Sequence, residues 1–265
     1  MGGSNDEAPA IPGRATIELS SWIFVLASLS LLAEFVLLYL GAAQPLYYKA
    51  EPKVSWATAR RVSILGVLEA VCWFVGFGLL IDWIVFHTFD VFGKSRSALT
   101  GAILKLIASA FFCVQPASQL GDPRNEFLVV GLGVPWSNFV GICLFHSGNC
   151  VDAWRMAGLF DSAAPTAHGN WPAIGTWIYT CATSLLLGAD ALAYFAPAPY
   201  NPPSTPAVSS SQLKLICPLQ IAGASLLAIA SVLYVAWARG GGKASAPPRL
   251  DRTLLADESD LAPIA

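Results

Sequence analysis

The chain has 265 residues, of which 55% are hydrophobic and only 12% are charged, and its mean hydropathy is +0.58. Soluble domains carry roughly a quarter charged residues. This composition therefore excludes an ordinary water-soluble fold and predicts a surface that lies in lipid. The net charge of −2, without a basic stripe, gives no indication of a nucleic-acid partner.

Apolar segments follow one another along the chain, separated by short polar stretches. Each has close to the 20 or so residues that a helix needs to cross the hydrocarbon core. Aromatic residues near segment ends, such as Trp22 and Tyr39 in the first, are typical of the membrane–water interface. The sequence predicts an all-α, polytopic transmembrane helical bundle with spans at 19–42, 62–86, 98–117, 127–145, 173–195 and 214–238.

Three regions differ in composition. Residues 1–18 are polar and rich in Gly and Pro, which predicts a disordered N-terminal segment before a transmembrane domain at 19–238. Within that domain, the polar residues 146–172 are expected to form a loop. Residues 239–265 are predicted to be a flexible tail, and their Lys and Arg residues favour a cytoplasmic C-terminus.

The number of spans depends on the segment 127–145. About 19 residues is only just enough to span, and Pro135 is expected to kink such a helix. With five spans, this segment is re-entrant or interfacial and the basic loop 49–61 lies on the cytoplasmic side. That placement agrees with the excess of Lys and Arg that cytoplasmic loops carry. Six spans place that loop outside but fit the hydropathy and the length better. We expect six, because an apolar run left out of the bilayer needs another place to be buried.

Ionisable side chains inside apolar spans are the main chemical feature of the sequence. A charge at mid-bilayer costs roughly 2.5–3.5 kcal/mol on translocon scales, so such groups normally face the bundle interior. Glu34 and Asp190 each lie on a helix face along which small or polar residues recur every seven positions. Such faces are predicted to point into the bundle. The ionisable residues are Glu34, Glu69, Asp82, Lys105 and Asp190.

Residue counting, at about 1.5 Å per residue, assigns these groups to two depths. Glu34 and Glu69 share one depth, and six spans add Asp190, giving carboxylates without a nearby cation. That layer is a candidate site for protons or cations. Asp82 and Lys105 share the opposite depth as a candidate structural ion pair. Five spans instead place Asp190 beside that pair, in a charge-compensated group whose role is mainly structural. The alternative for the carboxylates is that they are protonated or hydrogen-bonded packing contacts.

No pattern of an enzyme active site or a cofactor site is evident. The six cysteines form no CxxC motif, the three histidines give no bis-histidine pattern on two spans, and no HExxH or Gly-rich phosphate loop occurs. We therefore expect no enzymatic activity, no cofactor and no metal site.

The C-terminal tail contains one short motif. Asp251 followed by Leu254 and Leu255 resembles acidic dileucine sorting signals. The alternative is a tail that only increases solubility.

The layout is typical of small multi-pass scaffold proteins. The leading prediction is a non-enzymatic integral membrane protein that organises or scaffolds a membrane or a membrane complex. Its expected partners are the lipid bilayer and other membrane proteins or further copies of itself. The alternative is a small channel or carrier for protons or cations that uses the layer of carboxylates.

Overall fold

The structure, a computed structural model, describes residues 13–39, 56–87, 96–121, 129–130, 134–160, 171–195 and 210–240. Within these ranges the chain is helical apart from one pair of two-residue antiparallel strands. The elements are α1 (Arg14–Tyr39), α2 (Trp56–His87), α3 (Arg96–Gly121), β1 (Val129–Val130), β2 (Val134–Pro135), α4 (Trp136–Phe160), α5 (Trp171–Phe195) and α6 (Ser210–Gly240).

The predicted fold class, an all-α transmembrane bundle, is confirmed. Four helices, α1, α2, α3 and α6, are long and apolar enough to cross a membrane. Helices α4 and α5 have 25 residues each, or about 37 Å at 1.5 Å per residue, and complete the same bundle. The six described helices therefore fit the predicted number of spans.

The helices form a closed ring. Each one packs against its neighbours in the sequence, and α6 packs back against α1. Neighbours run antiparallel: near the start of α1, Ser20 Oγ donates to the Gly76 carbonyl oxygen of α2 at 2.9 Å, while near its end Glu34 lies beside Gly66. Because the number of described helices is even, α6 also runs antiparallel to α1.

Aromatic side chains fill the middle of the bundle. We call Phe24, Trp73, Phe77 and Phe145 the aromatic stack. Trp73 and Phe77 are nearly parallel, with ring centroids 5.7 Å apart, and Phe145 meets the Trp73 ring edge-on at 5.2 Å. Trp73 is 1% exposed and Phe77 is 2% exposed. The aromatic stack therefore closes the bundle to water at this level.

Small residues allow the helices to approach closely around this core, as the stripes in the sequence predicted. Ser20 and Ala27 of α1 and Thr183 of α5 are fully buried. Between α3 and α4, a Cβ on Gly148 would lie only 2.8 Å from the Gly101 carbonyl oxygen. Backbones this close are typical of tightly packed membrane helices.

The sequence prediction for the fourth span is wrong in its bounds. Helix α4 does not kink at Pro135 but begins at the next residue and continues to Phe160. It thus includes 146–160, which was predicted to be a loop. Proline lacks a backbone N–H and is tolerated at a helix start better than inside one.

The predicted disordered segment 1–18 is also too long, because α1 begins at Arg14. Gly13 adopts a positive φ of 63°, and its carbonyl oxygen accepts amide hydrogen bonds from the first turn. Glu18 then binds Arg239 of α6 at 2.6 Å. This ion pair joins the second turn of α1 to the last turn of α6.

Candidate intramembrane carboxylate site

A cavity of about 80 Å³ lies inside the ring, toward the end of the bundle where α1 ends and α2 begins. All six described helices contribute to its wall. We call this cavity the carboxylate chamber. Its lining residues are Leu31, Glu34, Phe35, Val62, Ser63, Gly66, Glu69, Trp73, Phe112, Gln115, Pro116, Asn138, Ile142, Phe145, Leu186, Asp190 and Leu227.

The size of the chamber limits what it can hold. One water needs about 10–15 Å³ of such volume, so 80 Å³ accommodates several waters or a small ion. Pockets for drug-sized molecules measure about 300–1,000 Å³. Trp73 and Phe145 of the aromatic stack form the inner end of the chamber. The chamber is thus a partly open space with a mixed polar and apolar wall, and its occupants are limited to the size of a few waters.

The structure brings together the three carboxylates that the six-span prediction placed in one layer. Glu34, Glu69 and Asp190 project from α1, α2 and α5 to the same chamber. Glu69 is 8% exposed. Glu34 Oε2 would lie 3.3 Å from a Cβ on Gly66, one turn before Glu69 on α2. The alternative that placed Asp190 with Lys105 is therefore wrong.

Two of the three chamber carboxylates have polar partners, and none of the three has a cationic partner among the residues that the structure describes. Glu69 Oε1 accepts a hydrogen bond from Trp73 Nε1 at 3.1 Å, and Asp190 Oδ1 accepts one from Gln220 Nε2 at 3.3 Å. The lining residues include no Lys, Arg or His. An ionised carboxylate away from water is costly without a compensating charge. These groups are therefore suited to take up a proton or attract a cation.

Two amide side chains complete the polar wall, and the sequence analysis did not identify them as site residues. Asn138 Nδ2 donates to Gln115 Oε1 at 3.0 Å, which links α4 to α3. Asn138 Oδ1 is buried and accepts no hydrogen bond from the described residues. The signal in the sequence was a polar amide within an apolar segment, the same signal that singled out the carboxylates.

The three carboxylates project into the chamber from three different helices. Among the described residues, no group of three His, Cys, Asp or Glu side chains is placed to hold a metal ion. A tightly bound divalent cation needs several oxygen ligands at about 2–2.6 Å.

The predicted ion pair between Asp82 and Lys105 is wrong. Lys105 Nζ instead binds Asp152 Oδ2 of α4, while Asp82 is exposed. The Lys105 ammonium also lies over the Phe77 ring, 5.4 Å from its centroid. Asp82 follows Phe77 by five residues, which rotates it by about 140° around α2. Because Lys105 lies beside Phe77, Asp82 is also about 7.5 Å further along α2, so the two groups differ in both depth and direction.

Lys105, Asp152 and Arg155 form a second polar group, which we call the charge cluster. Arg155 Nη2 lies 3.8 Å from Asp152 Oδ1, and the three side chains are 7%, 15% and 24% exposed. Lys105 is the tenth residue of α3 and Asp152 the seventeenth of α4, so the charge cluster lies well inside the bundle, beside Phe77 of the aromatic stack.

The predicted sorting signal, Asp251 with Leu254 and Leu255, lies outside the described residues and stays a prediction. The cytoplasmic placement of the C-terminus also stays a prediction.

No protein-family model, no curated protein and no solved structure matches this chain significantly. The class of the protein follows from its own helices: it is an integral membrane protein built as a helical bundle.

Proposed function

We propose that the protein is a small channel or carrier that passes protons across the membrane through the carboxylate chamber. The observation that carries the proposal is the placement of Glu34, Glu69 and Asp190 around a cavity that holds a few waters, with no compensating cation among the described residues that line it. Ionisable residues in such places commonly mark ion pathways and proton relays.

Size and ligand geometry support the proton over other substrates. The cavity volume of about 80 Å³ is too small for most organic solutes. The separate positions of the carboxylates do not suit a tightly held metal ion. A carboxylate that takes up a proton becomes neutral, and a neutral group is the less costly form in a low-dielectric interior.

The proposal needs no catalytic residues, and it retains the expectation that the protein is not an enzyme. The scaffolding role that the sequence favoured stays a prediction, because no feature of the described residues favours a particular partner.

Proton flux into proteoliposomes tests the proposal. Purified protein is reconstituted with a pH-sensitive dye inside the vesicles, and a potassium diffusion potential drives protons inward. We expect wild-type protein to acidify the lumen. Glu69→Gln, which removes the proton-binding group at nearly constant shape, should lower the rate by about tenfold or more.

Asp82→Asn is the matched control. It removes one carboxylate from the same helix, α2, but at an exposed position away from the chamber. It should keep the wild-type rate. No flux through wild-type protein, or equal rates for Glu69→Gln and Asp82→Asn, would contradict the proposal.

A further inference from the structure

We propose that Cys150 is a nucleophilic thiol that forms a covalent adduct with α,β-unsaturated aldehydes dissolved in the bilayer. His146 is the base that accepts the thiol proton, and Thr183 positions this base. None of the three residues lines the carboxylate chamber. The modification site therefore goes beyond the proposed proton pathway and does not depend on it.

The thiol and the imidazole lie one helical turn apart on α4. Cys150 follows His146 by four residues, and side chains with this spacing are neighbours on a helix surface. Cys150 Sγ lies 3.4 Å from His146 Nε2, which is a hydrogen-bonded distance for sulfur. A thiol beside a base that is itself oriented by a third group is the arrangement of an activated nucleophile.

Thr183 of α5 is the group that orients the imidazole. Its Oγ1 lies 3.0 Å from His146 Nδ1 and also accepts the Asn149 Nδ2 hydrogen bond at 3.4 Å. The single proton of this hydroxyl is directed to the backbone carbonyl oxygens of Tyr179 and Thr180, at 3.0 and 3.1 Å. We therefore assign the neutral imidazole with its proton on Nδ1, which leaves the Nε2 lone pair facing the thiol.

Cys150 lies on the outer surface of the bundle, in the middle of the membrane. It shares an exposed face of α4 with Ser147 and Trp154, and Trp154 is 77% exposed. Cys150 is the fifteenth of 25 residues in α4, about 15 Å from the nearer helix end. This depth falls within the hydrocarbon core, which is about 30 Å thick. The thiol is therefore reached by electrophiles that dissolve in lipid.

This location selects the class of electrophile. A free thiolate is costly away from water, so loss of the thiol proton has to accompany attack on the electrophile. An α,β-unsaturated aldehyde is neutral and dissolves in lipid, and oxidation of acyl-chain double bonds forms such aldehydes inside the bilayer. Addition to it releases no leaving group, so no charged or water-soluble product has to cross the hydrocarbon.

The step is an addition in which atoms and electrons balance. The Sγ–H bond of Cys150 breaks, and its proton moves to His146 Nε2 while an Sγ–C bond forms at the β-carbon of the aldehyde. The electron pair of the C=C bond moves toward the carbonyl oxygen and gives an enolate. The proton on Nε2 is then transferred to the α-carbon. The product is a thioether that carries a saturated aldehyde, and His146 returns to its neutral form.

Cys181 of α5 provides an internal control. It is the eleventh of 25 residues in α5, which again places it about 15 Å from the nearer helix end. Thr180 Oγ1 donates to the Asn149 carbonyl oxygen at 3.3 Å, so the cysteines that follow these two residues lie at the same level. Cys181 is also exposed, but among the described residues it has no hydrogen-bond partner.

Reaction with cinnamaldehyde, a lipid-soluble α,β-unsaturated aldehyde, tests the inference. The full chain is reconstituted in liposomes, treated for increasing times, reduced with borohydride to fix the adducts, and digested. Mass spectrometry follows the adducts on the peptides that contain Cys150 and Cys181. We expect Cys150 to react about tenfold faster or more, because a positioned general base contributes on the order of a hundredfold.

Two variants identify the base and its positioning group. His146→Asn keeps a donor toward Thr183 but cannot accept the thiol proton, so the rate at Cys150 should fall to that at Cys181. Thr183→Val removes the acceptor of the imidazole N–H at nearly constant shape, and it should also lower the ratio of the two rates. The rate at Cys181 in each variant is the control for folding and for access from lipid.

Each outcome supports or overturns the inference. A faster reaction at Cys150 that slows in both variants, while Cys181 keeps its rate, supports it. Equal rates at the two cysteines of wild-type protein, or an unchanged ratio in His146→Asn or in Thr183→Val, would overturn it. Equally fast labelling of Cys150 by a charged, membrane-impermeant maleimide would also contradict it, because the thiol would then lie in water. None of these results depends on proton flux, which is tested separately.

Discussion

The carboxyl group of Glu69 connects the chamber to the core of the bundle. It lines the carboxylate chamber, and it accepts the indole hydrogen bond of Trp73, which is 1% exposed. If this acceptor is removed, the buried indole N–H cannot donate a hydrogen bond to water instead. Glu69 thus has a structural role that can be measured separately from proton binding.

Two substitutions of Glu69 separate these roles. Glu69→Gln keeps an oxygen that accepts from Trp73 and should stay close to wild-type stability. Glu69→Leu removes the acceptor and should lower the free energy of unfolding by about 1–3 kcal/mol. Thermal unfolding in detergent measures the difference, and equal melting temperatures for the two variants would show that this hydrogen bond is not formed.

At the residue scale, the sequence predicted the chamber carboxylates but not the partner of Lys105. Charged residues stand out in apolar spans, and counting along two antiparallel helices gives their depth. Counting alone does not give their direction around the helix, and its error in depth was about one and a half turns, because Lys105 lies beside Phe77 and not beside Asp82. The true partner, Asp152, lay in a segment that was predicted to be a loop.

At the element scale, α4 shows what hydropathy alone misses. Its second half carries Asp152 and Arg155, and a hydropathy average counts each of them as polar. In the bundle, Lys105 of α3 compensates Asp152, so this turn can pack in the interior. Such compensation depends on a contact between helices. The sequence therefore predicted a helix in this region but ended it near Phe145.

The close approach of α3 and α4 predicts a steric effect at Gly148. In Gly148→Ala, the new Cβ would meet the Gly101 carbonyl oxygen at 2.8 Å, and the helices would have to separate. We expect a loss of about 1–3 kcal/mol in stability, seen as a lower melting temperature in detergent.

Gly188→Ala on α5 is the control, since a Cβ there meets nothing within 4 Å. This change should be neutral, or stabilising by up to about 1 kcal/mol through helix propensity. A melting temperature for Gly148→Ala equal to that of Gly188→Ala would contradict the described packing of α3 on α4.

At the scale of the whole molecule, closure of the ring creates the chamber. Helix α5 is distant in sequence from α1 and α2, yet each of these three helices supplies one of the three carboxylates. The sequence predicted the helices, and it predicted that successive helices cross the membrane in opposite directions. It did not predict that α6 returns to α1, because that contact joins the two ends of the bundle. The first and last described helix ends lie on the same side, and the chamber lies toward the opposite side.

The side from which the chamber is reached tests this arrangement most directly. On a Cys-free background, Ser63→Cys places a thiol in the chamber wall, Ser204→Cys marks the connection between α5 and α6, and Ser162→Cys marks that between α4 and α5. A small, membrane-impermeant thiol reagent is applied from each side in turn. We expect Ser63→Cys to react from the side that labels Ser204→Cys and not from the side that labels Ser162→Cys. Reaction of Ser63→Cys from the Ser162→Cys side, or labelling of Ser162→Cys and Ser204→Cys from the same side, would contradict the closed antiparallel ring and the chamber within it.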